Sequence, residues 1–94
     1  ADARMAHFLL ELGVRLSLVG MGSRQGYPCP LTQYHLADAL GLSAIHVNRV
    51  LRKLREAGLV TFQGGQVTFD DYEGLVALAD FDPAYLDQSR PLLP

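Results

Sequence analysis

The chain has 94 residues, of which 49% are hydrophobic and 19% are charged, and its formal net charge is -2. This length supports one domain with a modest core, and the composition excludes a disordered chain. Residues 8–19 are the longest apolar stretch, but Glu11, Gly13 and Arg15 interrupt it, which excludes a membrane span or signal peptide and favours a cytoplasmic protein. The single Cys29 excludes an internal disulfide.

The first predicted helix covers residues 2–19, because apolar side chains recur along one side of it at helical spacing. These side chains are Met5, Phe8, Leu9, Leu12, Leu16 and Val19. Gly13 lies within this helix and weakens it by about 1 kcal/mol relative to alanine. A glycine-rich loop follows, and Pro28 and Pro30 predict an extended backbone before the next helix. Because a full helix begins at residue 2, we expect the chain to be a piece of a longer protein.

Residues 32–57 have the pattern of two short helices joined by a tight turn. Thr32 and Ser43 are predicted N-caps, and each follows a leucine that can pack on an apolar residue inside its helix. Gly41 supplies the left-handed conformation that ends the first of the two helices. A small residue, a turn and a core stripe therefore occur in the order that helix-turn-helix units need, which predicts a DNA-binding unit.

The second of these helices, residues 43–57, is predicted to have a buried side and a basic outward side. Four aliphatic residues fall within one arc and must face the core, namely Val47, Val50, Leu51 and Leu54. The residues left pointing outward are Ile45, Arg49, Arg52 and Glu56. Residues 43–58 contain three arginines, one lysine and one glutamate, a local charge of +3 within a chain of net charge -2. Positive potential is thus concentrated on the helix predicted to read DNA.

Residues 59–69 change to an alternating pattern that predicts a β-hairpin turning at Gly64 and Gly65. The resulting cross-strand pairs are Phe62 with Val67, Val60 with Phe69, and Thr61 with Thr68. Apolar pairs then share one face of the hairpin and the threonines share the other. A hairpin directly after the second helix is the wing of a winged helix-turn-helix, so the predicted fold is mostly α with a small β-hairpin.

Residues 70–87 are predicted to form C-terminal helices. Asp70 is the expected N-cap, with Glu73 completing a capping box. The predicted apolar face consists of Tyr72, Leu75, Val76 and Ala79. A last helical turn is expected to start at residues 82–83, followed by a loose tail from residue 88. We therefore interpret residues 1–94 as a single winged helix-turn-helix DNA-binding domain.

The segment PLTQYHLADALGLSAIHVNRVLRKLREAGLV, the hairpin and the later FDPAYL resemble the DNA-binding domain of Crp/Fnr transcription regulators. The resemblance covers nearly the whole chain and is most specific at Leu36-Ala37, Leu40-Gly41-Leu42-Ser43, Val47, Arg49-Val50-Leu51, Leu54 and Gly58-Leu59. It implies sequence-specific binding of double-stranded DNA, a homodimer in the full-length protein and RNA polymerase as a further candidate partner. No cofactor is expected in this domain, whereas a cyclic nucleotide or other effector would bind a separate N-terminal sensor domain.

The resemblance also assigns roles to individual residues. Arg49 matches a base-contacting arginine, and Ser43 matches an N-cap that lies near a phosphate. Well-studied members have Arg and Glu at the positions of Ala44 and Ile45, so their target sequences do not carry over to this chain.

The chemistry of the side chains extends these assignments. We expect Arg49 to make a bidentate contact to guanine and Ile45 to meet a thymine methyl group. The predicted base contacts are Arg49, Ile45, Ala44, Asn48 and His46. The predicted phosphate contacts are Thr32, Ser43, Arg52, Lys53 and Arg55. At the tip of the wing, Gln63, Gly64 and Gly65 are expected to touch the neighbouring backbone or minor groove.

Less specific interpretations stay open beside these assignments. The cations after Arg49 are also consistent with a solvated charged surface, and Ile45 with a scattered exposed apolar residue. For the whole chain, the alternative is a winged helix that binds proteins without binding DNA, which the acidic total, Ala44 and Ile45 favour. We do not expect an enzyme or a metal site, since the sequence contains no recognisable catalytic arrangement, phosphate loop or ligand cluster.

Overall fold

The computed structural model describes residues 2–80, in which four helices and three strands follow one another. The helices are α1 (Asp2–Ser17), α2 (Gln33–Leu40), α3 (Ala44–Glu56) and α4 (Tyr72–Ala79). The strands are β1 (Gly26–Pro28), β2 (Val60–Gln63) and β3 (Gln66–Phe69), and they form one antiparallel sheet in the order β1-β3-β2. None of the helices within these residues is long and apolar enough to cross a bilayer. The turn predicted at residues 82–83 and the tail from residue 88 lie outside the described residues.

The buried face of α1 is wider than the predicted stripe. Met5 and Leu9 are buried as predicted, but Ala6, Leu10 and Gly13 are buried with them. Because α1 contacts α4, α3 and β1 rather than a single neighbour, two adjacent arcs of the helix are covered.

α1 also ends two residues earlier than predicted. Gly20 takes a left-handed conformation with φ of +76°, and the Met21 N–H donates back to the Leu16 carbonyl oxygen at 2.8 Å. This turn closes the helix after Ser17. Val19, which was predicted to lie on the apolar face, is instead 67% exposed.

Tyr27 on β1 connects α1 to the sheet. Its hydroxyl donates to the Leu9 carbonyl oxygen at 2.8 Å, and its ring meets the Phe69 ring edge-on with centroids 5.8 Å apart. Burial, and to a smaller extent the Coulomb interaction with Cys29, raises the pKa of Tyr27 well above its ordinary value, so the phenol stays a donor. A Cβ on Gly13 would lie 3.0 Å from this ring, which explains why a residue that weakens α1 intrinsically occupies that position.

α2 and α3 begin and end at the predicted residues. The His35 N–H donates to Thr32 Oγ1 at 3.2 Å, and the Thr32 N–H donates to His35 Nδ1 at 3.0 Å. This capping box confirms Thr32 as the N-cap, although the role of His35 was not predicted. Ser43 Oγ accepts from the His46 N–H at 3.1 Å, and Gly41 has the predicted left-handed φ of +68°. The turn between α2 and α3 therefore has the predicted Gly41 C-cap and the predicted Ser43 N-cap.

A narrow aliphatic strip fixes the rotation of α3 about its own axis. α3 contacts α2, α1 and β2. The strip consists of the four predicted core residues, all buried: Val47, Val50, Leu51 and Leu54. Removing each such side chain from water stabilises the fold by about 1.5–3 kcal/mol.

The wing has the predicted register but contains an additional strand. β2 and β3 pair Val60 with Phe69, Thr61 with Thr68 and Phe62 with Val67, as predicted. β1 was not predicted as a strand, since three residues containing glycine and proline carry no alternating pattern. It pairs with β3 along its length, and the Cys29 N–H extends the contact by donating to the Gly65 carbonyl oxygen at 2.8 Å. β3 is thus hydrogen-bonded on both of its edges, to β2 on one and to β1 on the other.

The predicted cap of α4 was wrong by one residue. Asp71, not Asp70, is the N-cap, and its Oδ1 accepts from the Gly74 N–H at 3.0 Å. The capping box predicted with Glu73 does not form because Gly74 occupies the third helical position. Asp70 instead accepts a hydrogen bond from the Thr61 hydroxyl at 2.7 Å, which connects the sheet to the start of α4.

Gly26 offers a test of the unpredicted strand. It has φ of +144°, and a Cβ there would overlap the Val67 carbonyl oxygen of β3. Gly26→Ala should therefore lower the free energy of unfolding by more than about 2 kcal/mol in urea titrations followed by circular dichroism. Gly20→Ala is the matched control, because Gly20 also has a positive φ but no atom within 4 Å of the added Cβ, and it should cost about 1 kcal/mol. Equal losses for the two variants would contradict the pairing of β1 with β3.

Candidate nucleic-acid interface

The side of α3 opposite the aliphatic strip faces solvent. Ile45 is 71% exposed although it is a large apolar residue, and Asn48, Arg49 and Arg52 are also exposed. These four side chains line one shallow depression on the surface. The structure therefore brings together three predicted base contacts and one predicted phosphate contact, on a helix face about 10–12 Å across.

The cations on this face are available to bind an anion. Within residues 2–80, Arg49, Arg52 and Arg55 form no ion pair with an acidic side chain. Each guanidinium has five N–H donors in a planar arrangement that matches phosphate oxygens or the acceptor edge of guanine. The exposed face thus combines positive charge with directional donors.

The first turn of α3 adds backbone donors to this surface. Ala44 and His46 are half-buried at its edges, and Ser43 is exposed. The N–H groups of Ala44 and Ile45 have no acceptor within the helix, because the first turn of any α-helix leaves such groups unpaired. Together with the positive end of the helix dipole they favour a negative group at this end of α3.

Lys53 forms an ion pair that the sequence did not predict. Its Nζ lies 2.8 Å from Asp2 Oδ2, and the two side chains are 63% and 34% exposed. Lys53, a predicted phosphate contact, is therefore paired with an acidic residue in the first turn of α1. Nothing in the spacing of residues 2 and 53 indicated this pair, because it depends on how α1 crosses α3.

Arg4 forms a second contact of α1 that the sequence did not predict. One of its guanidinium nitrogens, Nη2, donates to the Leu40 carbonyl oxygen at 2.8 Å, at the end of α2. A cation at a helix C-terminus stabilises the carbonyl groups that lack partners there. With the Lys53–Asp2 pair, this bond attaches the first turn of α1 to both α2 and α3.

The remaining predicted contacts lie at the start of α2 and at the wing tip. Thr32 is exposed, with its hydroxyl used in the capping box. Gln63, Gly64 and Gly65 are exposed, and both glycines have positive φ as a two-residue hairpin turn requires. Among residues 2–80, no three His, Cys, Asp or Glu side chains are placed to hold a metal ion together.

The helix pair, its exposed basic face and the supported hairpin define a winged helix-turn-helix, the predicted class. Residues 3–78 match the family model described as a Crp-like helix-turn-helix domain. The chain belongs to this family, as predicted, and is a transcription-regulator domain rather than an enzyme.

Curated relatives of the chain are transcription regulators. It is 35% identical over 79 residues to the transcriptional activator protein FnrA of Stutzerimonas stutzeri, covering 84% of this chain and 32% of that protein. It is 30% identical over 78 residues to an anaerobic regulatory protein of Haemophilus influenzae, covering 83% of this chain and 30% of that protein. The chain thus spans about a third of the length of these relatives.

Solved structures share the fold. CprK complexed with OCPA superposes with a TM-score of 0.61 at 19% identity, over 80% of this chain and 37% of that chain. Reduced CprK without a ligand gives a TM-score of 0.58 at 22% identity, over 79% of this chain and 37% of that chain.

The N-cap of α3 can be tested apart from any ligand. Ser43→Ala removes the acceptor of the His46 N–H and should lower the free energy of unfolding by about 1 kcal/mol in urea titrations. Ser43→Asp restores an acceptor of similar capping strength and should retain most of the stability of the unmodified protein. If the aspartate variant lost as much stability as the alanine variant, the hydroxyl would not be acting as a cap.

Proposed function

We propose that α3 binds in the major groove of double-stranded DNA and reads its sequence, as the output domain of a Crp/Fnr-type regulator. The supporting observation is the face on which Ile45, Asn48, Arg49 and Arg52 lie together, exposed and opposite the buried strip. The major groove of B-DNA admits a helix of this diameter, and its base edges carry a distinct pattern of donors and acceptors for each base pair.

Arg49 is the proposed reader of a guanine. It lies six residues after the N-cap, exposed and without an acidic partner in residues 2–80. A bidentate contact from arginine to the O6 and N7 atoms of guanine is the commonest specific contact of this kind. Ile45, one turn earlier on the same face, is suited to a thymine methyl group, while Ala44, His46 and Asn48 contact bases at the edges of the site.

Phosphate contacts are proposed on both sides of this reading face. Ser43 and the unpaired N–H groups after it would hold one phosphate, and Thr32 would hold another at the start of α2. Arg52, Lys53 and Arg55 would add further phosphate contacts, which increase affinity without reading sequence. Gln63, Gly64 and Gly65 would touch the backbone or minor groove beside the site.

A homodimer of the full-length protein is part of the proposal. One α3 makes few contacts, and two copies on half-sites about 34–36 Å apart would add their binding energies. RNA polymerase is proposed as a partner of the whole regulator, and an effector such as a cyclic nucleotide would act through a sensor domain. Both proposals concern the full-length regulator, because the aligned part of this chain corresponds to only about a third of each relative.

A winged helix that binds proteins instead of DNA is the second candidate. The acidic total of -2 and the apolar Ile45 on the exposed face favour it. Fluorescence anisotropy with a labelled duplex library separates the two, because DNA binding through phosphates must weaken steeply as salt rises. Binding that ignored salt, or no binding to any duplex, would favour the protein-binding function.

Base reading by Arg49 predicts a loss that depends on sequence. With a duplex selected from the library for tight binding, Arg49→Ala should cost about 1–3 kcal/mol and remove the preference at one base pair. Arg15→Ala is the control, since Arg15 carries the same charge on α1 and pairs with Glu11. Kd values for the selected duplex and its single-base-pair variants check this. An equal loss on every variant would show that Arg49 contacts phosphate rather than a base.

Phosphate contact by Arg52 predicts the opposite behaviour. Arg52→Gln should weaken binding to all duplexes by the same factor and reduce the slope of log K against log salt by about 0.9. Arg24→Gln serves as a control, because Arg24 lies over the Tyr72 ring, with 4.9 Å from its guanidinium carbon to the ring centroid, and outside α3. A slope equal to that of the unmodified protein would place Arg52 outside the interface.

A further inference from the structure

Lys53 differs from the arginines of α3 in having an acidic partner. Its ammonium lies 2.8 Å from the Asp2 carboxylate, whereas Arg49, Arg52 and Arg55 have no such partner within residues 2–80. Lys53 follows Arg49 by four residues, so the two side chains are neighbours along the helix surface. The Lys53 side chain is 63% exposed even in the pair, so its ammonium remains accessible from solvent.

We infer that Asp2 competes with DNA for Lys53. In the free protein the carboxylate occupies the ammonium that a backbone phosphate takes in the complex, so Asp2 sets the affinity and the salt dependence of the site. The inference rests on the proposed function. It assigns a role to a residue of α1 that does not itself contact DNA.

The chemistry of the two anions supports an exchange. Carboxylate and phosphate oxygens both accept charge-assisted hydrogen bonds from an ammonium at about 2.7–2.9 Å, so each can satisfy the same donors. An ion pair between exposed side chains contributes little free energy, because water and salt screen it. A duplex with one charge per about 1.7 Å of its axis can therefore displace Asp2 reversibly.

The position of Asp2 makes the competition local. Asp2 lies in the first turn of α1, and the Arg4 guanidinium two residues later is bound to the Leu40 carbonyl oxygen at 2.8 Å. This bond holds the first turn of α1 beside α2 and α3, so the Asp2 carboxylate stays close to Lys53. The effect of Asp2 should therefore be confined to one cation, Lys53.

Neutralising Asp2 should therefore strengthen DNA binding. In anisotropy titrations of the 94-residue protein with its selected duplex, Asp2→Asn should lower Kd by about 1.5- to 5-fold at low salt. It should also steepen the slope of log K against log salt, because salt screens the Asp2–Lys53 pair and the gain in affinity is therefore largest at low salt.

Glu73→Gln is the matched control. Glu73 is exposed in the first turn of α4, so its neutralisation changes the net charge and the charge near a helix N-terminus in the same way as Asp2→Asn. This variant should bind with an affinity close to that of the unmodified protein. In a Lys53→Gln background, Asp2→Asn should have no more effect than Glu73→Gln, since the contested ammonium is gone.

The outcomes distinguish this inference from the proposed function. Equal affinities of the Asp2→Asn and Glu73→Gln proteins would overturn the competition while DNA binding itself stood. Weaker binding by Asp2→Asn would also overturn it, because Asp2 would then be orienting Lys53 towards the phosphate. Urea titrations of each variant separate a loss of folding from a loss of contact. If neither the unmodified protein nor Asp2→Asn bound any duplex, both the proposed function and the competition would fail.

Discussion

The orientation of α3 depends on the burial of one narrow strip of aliphatic side chains. Val47, Val50, Leu51 and Leu54 are buried together, and each contributes about 1.5–3 kcal/mol by leaving water. A helix that buries this arc must present the opposite arc to solvent. Arg49 is therefore exposed because the opposite side of α3 is buried in the core. The left-handed Gly41 sets the direction in which the chain leaves α2, and the Ser43 cap fixes the residue at which α3 begins. Together they place the exposed arc of α3 relative to α2.

Two elements outside the helix pair hold the reading surface in position. The first turn of α1 reaches α2 through Arg4 and α3 through Asp2. At the wing, β1 pairs with β3, and this support extends as far as the Gly65 carbonyl. Tyr27 joins the two supports, since its hydroxyl bonds to α1 while its backbone belongs to β1. A domain of net charge -2 can carry a basic face because six of its ten acidic residues follow α3 in the sequence, whereas α3 itself contains only Glu56.

The sequence predicted the features that depend on neighbouring residues. The caps of α2 and α3, the Gly41 turn, the aliphatic arc of α3 and the hairpin register all follow from spacings of a few residues, and the structure confirms them. Features that depend on distant contacts were not predicted. β1 exists because β3 lies beside it, Gly13 is required by the Tyr27 ring, and Lys53 meets Asp2 because α1 crosses α3. The cap of α4 was misplaced because Asp70 and Asp71 are equally good candidates, and Thr61 binds the first of them. The base and phosphate contacts remain predictions.

Amide chemical shifts of the isotope-labelled protein, followed as duplex DNA is added, test the central claim most directly. Shifts should change for the exposed arc of α3 around Ile45, Asn48 and Arg49 and for the wing turn at Gly64. Amides of α4 and of the last turns of α1 should stay near their original positions. Changes concentrated on α4, or spectra unaffected by duplex at low salt, would contradict the account.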